Sequence, residues 1–491
     1  MVIFILFSAK IDFTKMKNVS LILLILFVCS GLNSVYAHKR AKYNIVIDSD
    51  GGVDDLRALT YFMASRDFNI NAITTVDGVL PPEVSAGYIS LLCKEFHHEG
   101  ILIGQGMNSK ASKKHYKHAL PIWINLFPDD FLTDFTNSAI LLERAVRTEN
   151  KRTIFVAMGP LTNIAELVKN YPDLSPKIET VLWYCDYDNQ PIGFNFEQDK
   201  EAFNELMKNR IPIKMVSAKG ECYEDDFLGI CSQMKSIYAR TIFNAFSNTS
   251  FEKGGMYYWD DFLPLYLLYP GMFDELAVME YVRTVNPKPE SYFDVLVTGI
   301  LNYDKPDKGV VFNEIPTSGF MLCNDVNNFA DTILKAYGYS EFKIVSLTSE
   351  IHSHMGIYSI LGAKAGLRIM EYLHAGLDEI ELVSYAGFNP PLSCFNDGLQ
   401  VGTGSTIGYG TITVDTSGVL STSVLVRYNE REILFSIKTE IVTEIREDIS
   451  QLVKQYGLNS EMYWIKLREI SIKKYWLGIS RFELLDVVEK K

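Results

Sequence analysis

Eight consecutive residues carry the densest chemistry in this 491-residue chain: Asp48-Ser49-Asp50-Gly51-Gly52-Val53-Asp54-Asp55. Four are carboxylates and two are glycines. Carboxylates this close repel one another unless a positive charge sits among them. A hard divalent cation bound through oxygens is the simplest such charge. The run follows Tyr43 to Ile47, which reads as a buried strand, and precedes Leu56 to Met63, which reads as a helix. An acidic turn also suits a helix amino terminus on its own, so the chemistry depends on what else the chain brings to this turn.

The elements around it alternate. Strand patterns over 45–47, 70–76, 153–158, 180–184 and 213–216 are each followed or separated by helical patterns, among them 54–65, 83–96, 161–169 and 201–208. Repeated β-α units with apolar strands predict an α/β fold: an open, mostly parallel sheet with helices on both faces. Ligands of such sheets bind at the carboxyl ends of the strands, and the acidic turn sits at one of these ends. Ala330 to Gly338 reads as the last helix of this first domain, taken as residues 41–338. A smaller α+β domain follows over 341–491. It holds a helical stretch from Gly356 to Leu373, a Gly/Thr-rich segment from Asp397 to Gly410, strands at Thr411–Val414 and Val424–Tyr428, and a charged helical tail from Thr439.

Composition narrows the partners. Apolar residues make up 47% and charged residues 22%, so the chain is globular, and its length predicts two domains. The net charge of -13 argues against nucleic acid, which needs a basic surface. Residues 1–37 read as an export signal: a basic start at Met16-Lys17, where translation could itself begin, then an apolar run from Val19 to Leu32 too short to span a membrane, then cleavage after Ala37. The protein is thus expected in the periplasm or secreted, with no membrane span; lipid anchoring at Cys29 is the minor alternative. The other cysteines, Cys93, Cys185, Cys222, Cys231, Cys323 and Cys394, are scattered and form neither a disulfide framework nor a zinc ribbon. His97-His98 reads as a solvated helix end.

Five blocks in order resemble the inosine-uridine preferring nucleoside hydrolases. They are Ile47 to Asp55, Ile73-Thr74-Thr75-Val76-Asp77-Gly78, Met158-Gly159-Pro160-Leu161-Thr162-Asn163-Ile164-Ala165, Phe194-Asn195 with Asp199 and Glu201-Ala202, and Trp259-Asp260 with Tyr266-Leu267-Leu268 and Pro270. The resemblance implies one Ca²⁺ ion held by Asp50, Asp55, the backbone carbonyl of Thr162 and the carboxylate of Asp260. It implies that Asp54 and Asn195 bind ribose hydroxyls, that Asp48 supports the metal loop, and that Asp50 is the general base of N-glycosidic hydrolysis through an oxocarbenium-like state. The partner is then a small nucleoside. Where some members carry a histidine before the last aspartate, this chain has Trp259, which implies purines stacked between aromatic rings, with Trp183, Tyr184, Tyr257 and Tyr258 as further candidates. Two departures bear on the sugar: Val79 stands where the family usually has asparagine, and Gly193 where it usually has glutamate. A binding protein without turnover, or a hydrolase of another N-glycoside, is the alternative reading.

The second domain resembles the E-subunit family of formylmethanofuran dehydrogenase, through Ile351-His352-Ser353-His354-Met355-Gly356, Leu361 to Gly366, and Cys394-Phe395-Asn396-Asp397-Gly398-Leu399-Gln400-Val401-Gly402-Thr403-Gly404-Ser405-Thr406. A His-x-His pair in an extended segment presents both rings to one face. His352 and His354 with Cys394 are therefore candidates for a transition metal such as Zn²⁺; a satisfied histidine pair beside a buried thiol is the alternative. The contribution of this domain stays open among metal binding, a homo-oligomer interface and action on the product.

Overall fold

The structure, a computed structural model, describes residues 41–107, 119–128, 134–148, 152–247, 256–289, 293–302, 311 and 314–490. The expected export signal and Cys29 lie outside these residues. Among the described residues no helix is long and apolar enough to cross a membrane.

Strands β1 (Tyr43–Ser49), β2 (Phe68–Thr75), β3 (Ile103–Gln105), β4 (Thr136–Asn137), β5 (Thr153–Ala157) and β6 (Ile178–Tyr184) join Ile213–Val216, Val282–Pro287 and Phe273–Met279 in one nine-stranded sheet. Its order is 273–279, 282–287, 213–216, β6, β5, β1, β2, β3, β4, and every pairing is parallel except that of the 273–279 edge strand. β1 lies centrally, and its register sets Asp48 beside Thr74 of β2 and Ala157 of β5. Apolar clusters cover both faces. One is built on Ile45, Ile47, Leu59 and Phe262, and the other on Val46, Phe155, Val181 and Trp183. The alternation of Val46 with Ile45 and Ile47 between clusters is the period-2 geometry of a strand buried on both sides.

The second domain carries a five-stranded sheet in the order Ile412–Val414, Glu381–Ser384, Ser423–Tyr428, Arg431–Ile437, Leu485–Glu489. Two helices, Ile357–Leu373 and Cys394–Thr403, pack so closely that a Cβ at Gly398 would stand 2.2 Å from the Ala363 nitrogen and the Ser359 carbonyl oxygen. The glycines after Asp397, expected as a Gly/Thr-rich segment, are thus partly helical and serve helix approach. The expected last helix of the first domain also changes allegiance. The helical run Asn324–Ile351 breaks at Gly338 (φ 81°), and Val326, Ala330 and Ile333 before the break join Phe342, Ile360 and Trp476 in a core of the second domain.

The two sheets' domains meet at the turn after the Pro82–Glu95 helix. Arg368 pairs with Glu99 at 2.7 Å, Arg431 donates to the Gly100 carbonyl at 2.7 Å, and the Tyr428 hydroxyl donates to Asn69 at 2.6 Å. His98 is buried in this seam, not solvated: its ring nitrogens meet the Glu371 carbonyl at 2.7 Å and the Tyr238 hydroxyl at 2.8 Å. Glu371 belongs to the other domain, which is why no local pattern marks His98 as buried.

Candidate metal and ligand site

The acidic turn leaves β1 and enters helix α1 (Val53–Ala64). Gly51 takes φ 79°, and a Cβ there would press on the Ser85 hydroxyl at 2.3 Å. At Gly52 a Cβ would stand 2.5 Å from Asp54 Oδ1, 2.7 Å from Asp55 Oδ2 and 3.6 Å from Asp50 Oδ1. One glycine therefore marks the point on which three carboxylates converge. Asp260 arrives from a segment far along the chain, and the ligating atoms of Asp54, Asp55 and Asp260 lie within 4.8 Å of one another.

Hydrogen bonds fix the carboxylates around that point. One oxygen of Asp55 accepts from Ser49 Oγ at 2.5 Å, from the Asp50 nitrogen at 3.0 Å and from the Gly51 nitrogen at 3.2 Å. Its other oxygen, and Oδ1 of Asp260, are buried without a hydrogen-bond donor. Asp50 accepts from the Val79 nitrogen at 3.2 Å and lies against Gly78 and Gly159, either of which would strike it with a Cβ. Asp48 is fully buried behind the turn, accepting from Thr74 Oγ1 at 2.6 Å and Asn163 Nδ2 at 2.9 Å. Trp123, which no sequence motif marks, braces the loop by donating its indole N–H to the Gly51 carbonyl at 3.0 Å while stacking on Tyr88.

Electrostatics follow from this crowding. Burial, then the neighbouring Asp54 charge, pushes Asp55 up to about 7. Burial with Asp55 and Asp54 holds Asp50 well above the usual carboxylate range, and burial with Asp54, Asp55 and Asp50 does the same to Asp260. Asp48 is pushed up to about 6 by burial, against the pull of its two donors. Buried carboxylate oxygens that face one another without donors are what a hard cation would satisfy. The donor set therefore fits Ca²⁺.

The carboxylates floor a cleft of about 440 Å³, in the usual range for a small-molecule site. Val79, Met158, Tyr184, Asp186, Asn195 and Trp259 line it with them. Asn195 gives its amide nitrogen to the carbonyls of Met158 (3.0 Å) and Tyr184 (3.1 Å), which leaves its carbonyl oxygen to accept from a ligand hydroxyl. Gly193 has φ 104° and open space where a side chain would project. Asp186 receives the Ser217 hydroxyl. Trp259 is 39% exposed and stacks on Tyr257 at 5.8 Å between ring centroids. Thr162 opens its helix with its hydroxyl on Asp199 at 2.6 Å and does not itself line the cleft.

Trp183 departs from the expectation that it faces the base. It is fully buried on the opposite face of β6, stacked on Phe203 at 6.0 Å, with its indole N–H on the Gly159 carbonyl at 3.0 Å. Adjacent strand residues point to opposite faces, so its neighbour Tyr184 takes the cleft. Burial, then Asp186, Asp260 and Asp54, raises the Tyr184 phenol, which stays a neutral donor. Tyr258 is likewise core, donating to Asp294.

In the second domain the His-x-His pair is not extended. His352 caps the preceding helix and Ser353 is left-handed at φ 62°. The ring centroids still lie 4.3 Å apart. Nδ1 of His352 meets Asp397 at 2.7 Å and Nδ1 of His354 meets the His352 carbonyl at 3.2 Å. Both Nε2 atoms turn toward Gly356, 3.4 and 3.2 Å from where its Cβ would stand. Cys394 does not complete the expected trio. Among the described residues only Asp54, Asp55 and Asp260 bring three such ligands within reach of one ion, and burial followed by Asp397 pushes the Cys394 thiol up to about 11.

A family model described as inosine-uridine preferring nucleoside hydrolase matches residues 45–328, and one described as FmdE, molybdenum formylmethanofuran dehydrogenase operon, matches residues 351–474. The pyrimidine-specific ribonucleoside hydrolase RihA of Shewanella sp. (strain MR-4) is 26% identical over 192 residues, 35% of this chain and 57% of that protein. The chain thus spans little more than half the length of the curated relatives it matches. Among solved structures, the plant nucleoside hydrolase PpNRh1 aligns over 53% of this chain and 98% of its own at 16% identity with a TM-score of 0.45. The purine-preferring ribonucleoside hydrolase from Gardnerella vaginalis aligns over 53% and 99% at 16% identity with a TM-score of 0.44.

Proposed function

This chain belongs to the inosine-uridine preferring nucleoside hydrolase family, and on that footing we propose that it hydrolyses the N-glycosidic bond of ribonucleosides, purine nucleosides foremost. The observation that carries the reading is the convergence of Asp50, Asp54, Asp55 and Asp260 on one point at the floor of the cleft. Asp50, Asp55 and Asp260 would hold Ca²⁺; the Thr162 carbonyl, expected as a further ligand, belongs to a residue that opens its helix outside the cleft lining. Bound there, the ion would supply an anchor for the sugar diol and the attacking water.

The chain's own residues do the rest. Asp54 and the carbonyl oxygen of Asn195 accept from ribose hydroxyls. Asp50 takes a proton from water as the water oxygen bonds to the anomeric carbon. The bond from that carbon to the base breaks, and its electron pair leaves with the base. The surrounding carboxylates stabilise the positive charge that develops on the sugar. Trp259, braced by Tyr257, gives the base a face to stack on, which is the support for purines.

A panel of purine and pyrimidine nucleosides, with base release measured beside Asp50→Asn, tests this. Release from a purine nucleoside that falls at least a hundredfold in the variant is expected. A folded, calcium-bound protein that releases no base from any of them overturns it in favour of a binding protein.

For the second domain, the two converging Nε2 atoms support a transition metal such as Zn²⁺ on His352 and His354. Both Nδ1 atoms are already occupied, as is usual for ligating histidines. Metal analysis of the protein beside His352→Ala checks it, and equal metal content in both excludes it. The leader-like residues 1–37 support export, which amino-terminal sequencing of the mature protein checks at His38.

A further inference from the structure

Arg57 lies on α1, one turn beyond Asp54 and Asp55, and its guanidinium is fully buried. Nε reaches both oxygens of Asp261 at 3.1 Å and Nη2 reaches Oδ2 at 2.7 Å. The same Nη2 donates to the backbone carbonyl of Tyr257 at 2.8 Å. Rings flank the guanidinium carbon, Tyr223 at 5.7 Å and Phe246 at 5.3 Å. One side chain thus grips the 257–261 segment at both ends. Between the grips lie Trp259, which lines the cleft, and Asp260, which completes the carboxylate cluster.

We propose that the Arg57–Asp261 pair is a positioning device for the site, setting where Asp260 stands against Asp54 and Asp55 and the angle at which Trp259 meets the leaving base. This rests on the reading of the cleft as that of a metal-dependent nucleoside hydrolase. The segment needs such a device because it enters its helix only at Phe262. Before that its backbone is held by one antiparallel bridge, Cys222 opposite Tyr257, made by the Tyr258 nitrogen on the Glu221 carbonyl at 3.0 Å and the Tyr223 nitrogen on the Met256 carbonyl at 2.9 Å. Stability alone does not call for the pair, since a fully buried ion pair is commonly replaced by apolar residues at no loss. What the pair adds is direction. The planar guanidinium fork fixes distance and angle at once, which an ammonium does not. α1 delivers Asp54 and Asp55 from its first turn, so a rigid link from its second turn ties the two halves of the ligand set to one element.

The test uses the full chain, with Ca²⁺ titrated by calorimetry and thermal unfolding followed in parallel. Arg57→Met combined with Asp261→Leu is expected to melt close to the unaltered protein yet bind Ca²⁺ at least tenfold more weakly. Its kcat/KM ratio between purine and pyrimidine nucleosides is expected to shift at least threefold. Arg57→Lys, which keeps the charge and loses the fork, is expected to fall between. A folded double variant with unaltered Ca²⁺ affinity and unaltered nucleoside ratio overturns the proposal. If the double variant does not fold, Arg57→Lys decides: unaltered affinity and ratio overturn it, and a loss in either supports it. An unaltered protein that cleaves no nucleoside overturns the hydrolase reading, and the Ca²⁺ titration then tests the positioning role by itself.

Discussion

Asp55 and Asp260, distant in the chain, face each other across the cleft floor, each with one buried oxygen that no donor reaches. Removing one of the two acids relieves repulsion and deletes a ligand together. Asp260→Asn is therefore expected to melt no lower than the unaltered protein without metal, and to lose the gain in melting temperature that Ca²⁺ brings. For the unaltered protein that gain corresponds to about 2.7 kcal/mol at a hundredfold excess over Kd. Thermal unfolding with Ca²⁺ and with a chelator measures both.

The same crowding makes metal binding depend on pH. The folded, metal-free chain holds Asp55 at about 7, against about 3.9 when unfolded. A raised pKa means the fold keeps a proton that the unfolded chain gives up. This contribution to stability is complete below about pH 4 and is lost as pH rises to about 7. Ca²⁺ has to displace that proton, so its affinity should climb with pH between 5 and 7 by about tenfold per unit for each proton released. Calorimetry in two buffers of different ionisation enthalpy counts the proton; an affinity independent of pH contradicts the raised carboxylates.

Two aromatic choices separate binding from folding. Trp259→Ala removes a half-exposed stacking face and should raise KM for a purine nucleoside roughly tenfold, the scale of one aromatic stack, with little change in melting temperature. Trp183→Ala empties a core site and should cost about 3–5 kcal/mol in stability while leaving KM of the surviving folded fraction near its original value. Steady-state kinetics beside urea unfolding distinguishes the two.

What the sequence made legible was whatever is local or ordered along the chain. The acidic turn between a strand and a helix and the alternation that builds a parallel sheet follow from local pattern, and the placing of Asp50, Asp54, Asp55, Asn195, Trp259 and Asp260 around one cleft was implied by the resemblance of five ordered blocks to the nucleoside hydrolases. Trp183 was misread because period 2 says that Trp183 and Tyr184 face opposite ways without saying which face is the cleft; that depends on which helices cover the sheet. Arg57 and Asp261 carry no motif, and each gains meaning only from the other, 204 residues away. His352 and His354 come together through a left-handed Ser353, a backbone state that a non-glycine residue does not advertise. The helix before Gly338 shows apolar periodicity but not its partner, and Trp476, near the far end of the chain, claims it.

The seam between the domains gives a stability signature of its own. His98 is held down to about 4 by burial, against the pull of the Glu371 carbonyl, and its ring lies edge-on to His374 at 4.5 Å. Burial, then the neighbouring His98, keeps His374 well below its ordinary value too. A depressed pKa in the fold means that the unfolded chain takes the proton first as pH falls. The contribution is present above about 6.5 and is lost as pH falls through that value toward 4. For His98 the interval corresponds to about 3 kcal/mol at 1.36 kcal/mol per unit. His98→Gln keeps a polar side chain in the seam and removes the titration. The difference in unfolding free energy between the two proteins, in which the cleft carboxylates cancel, should favour the unaltered protein by about 1 kcal/mol at pH 8 for the hydrogen bonds lost, then fall steadily below pH 6.5, pass through zero and favour the variant toward pH 4. Urea unfolding across this range measures it, and a difference constant with pH would show that His98 does not remain neutral in the seam.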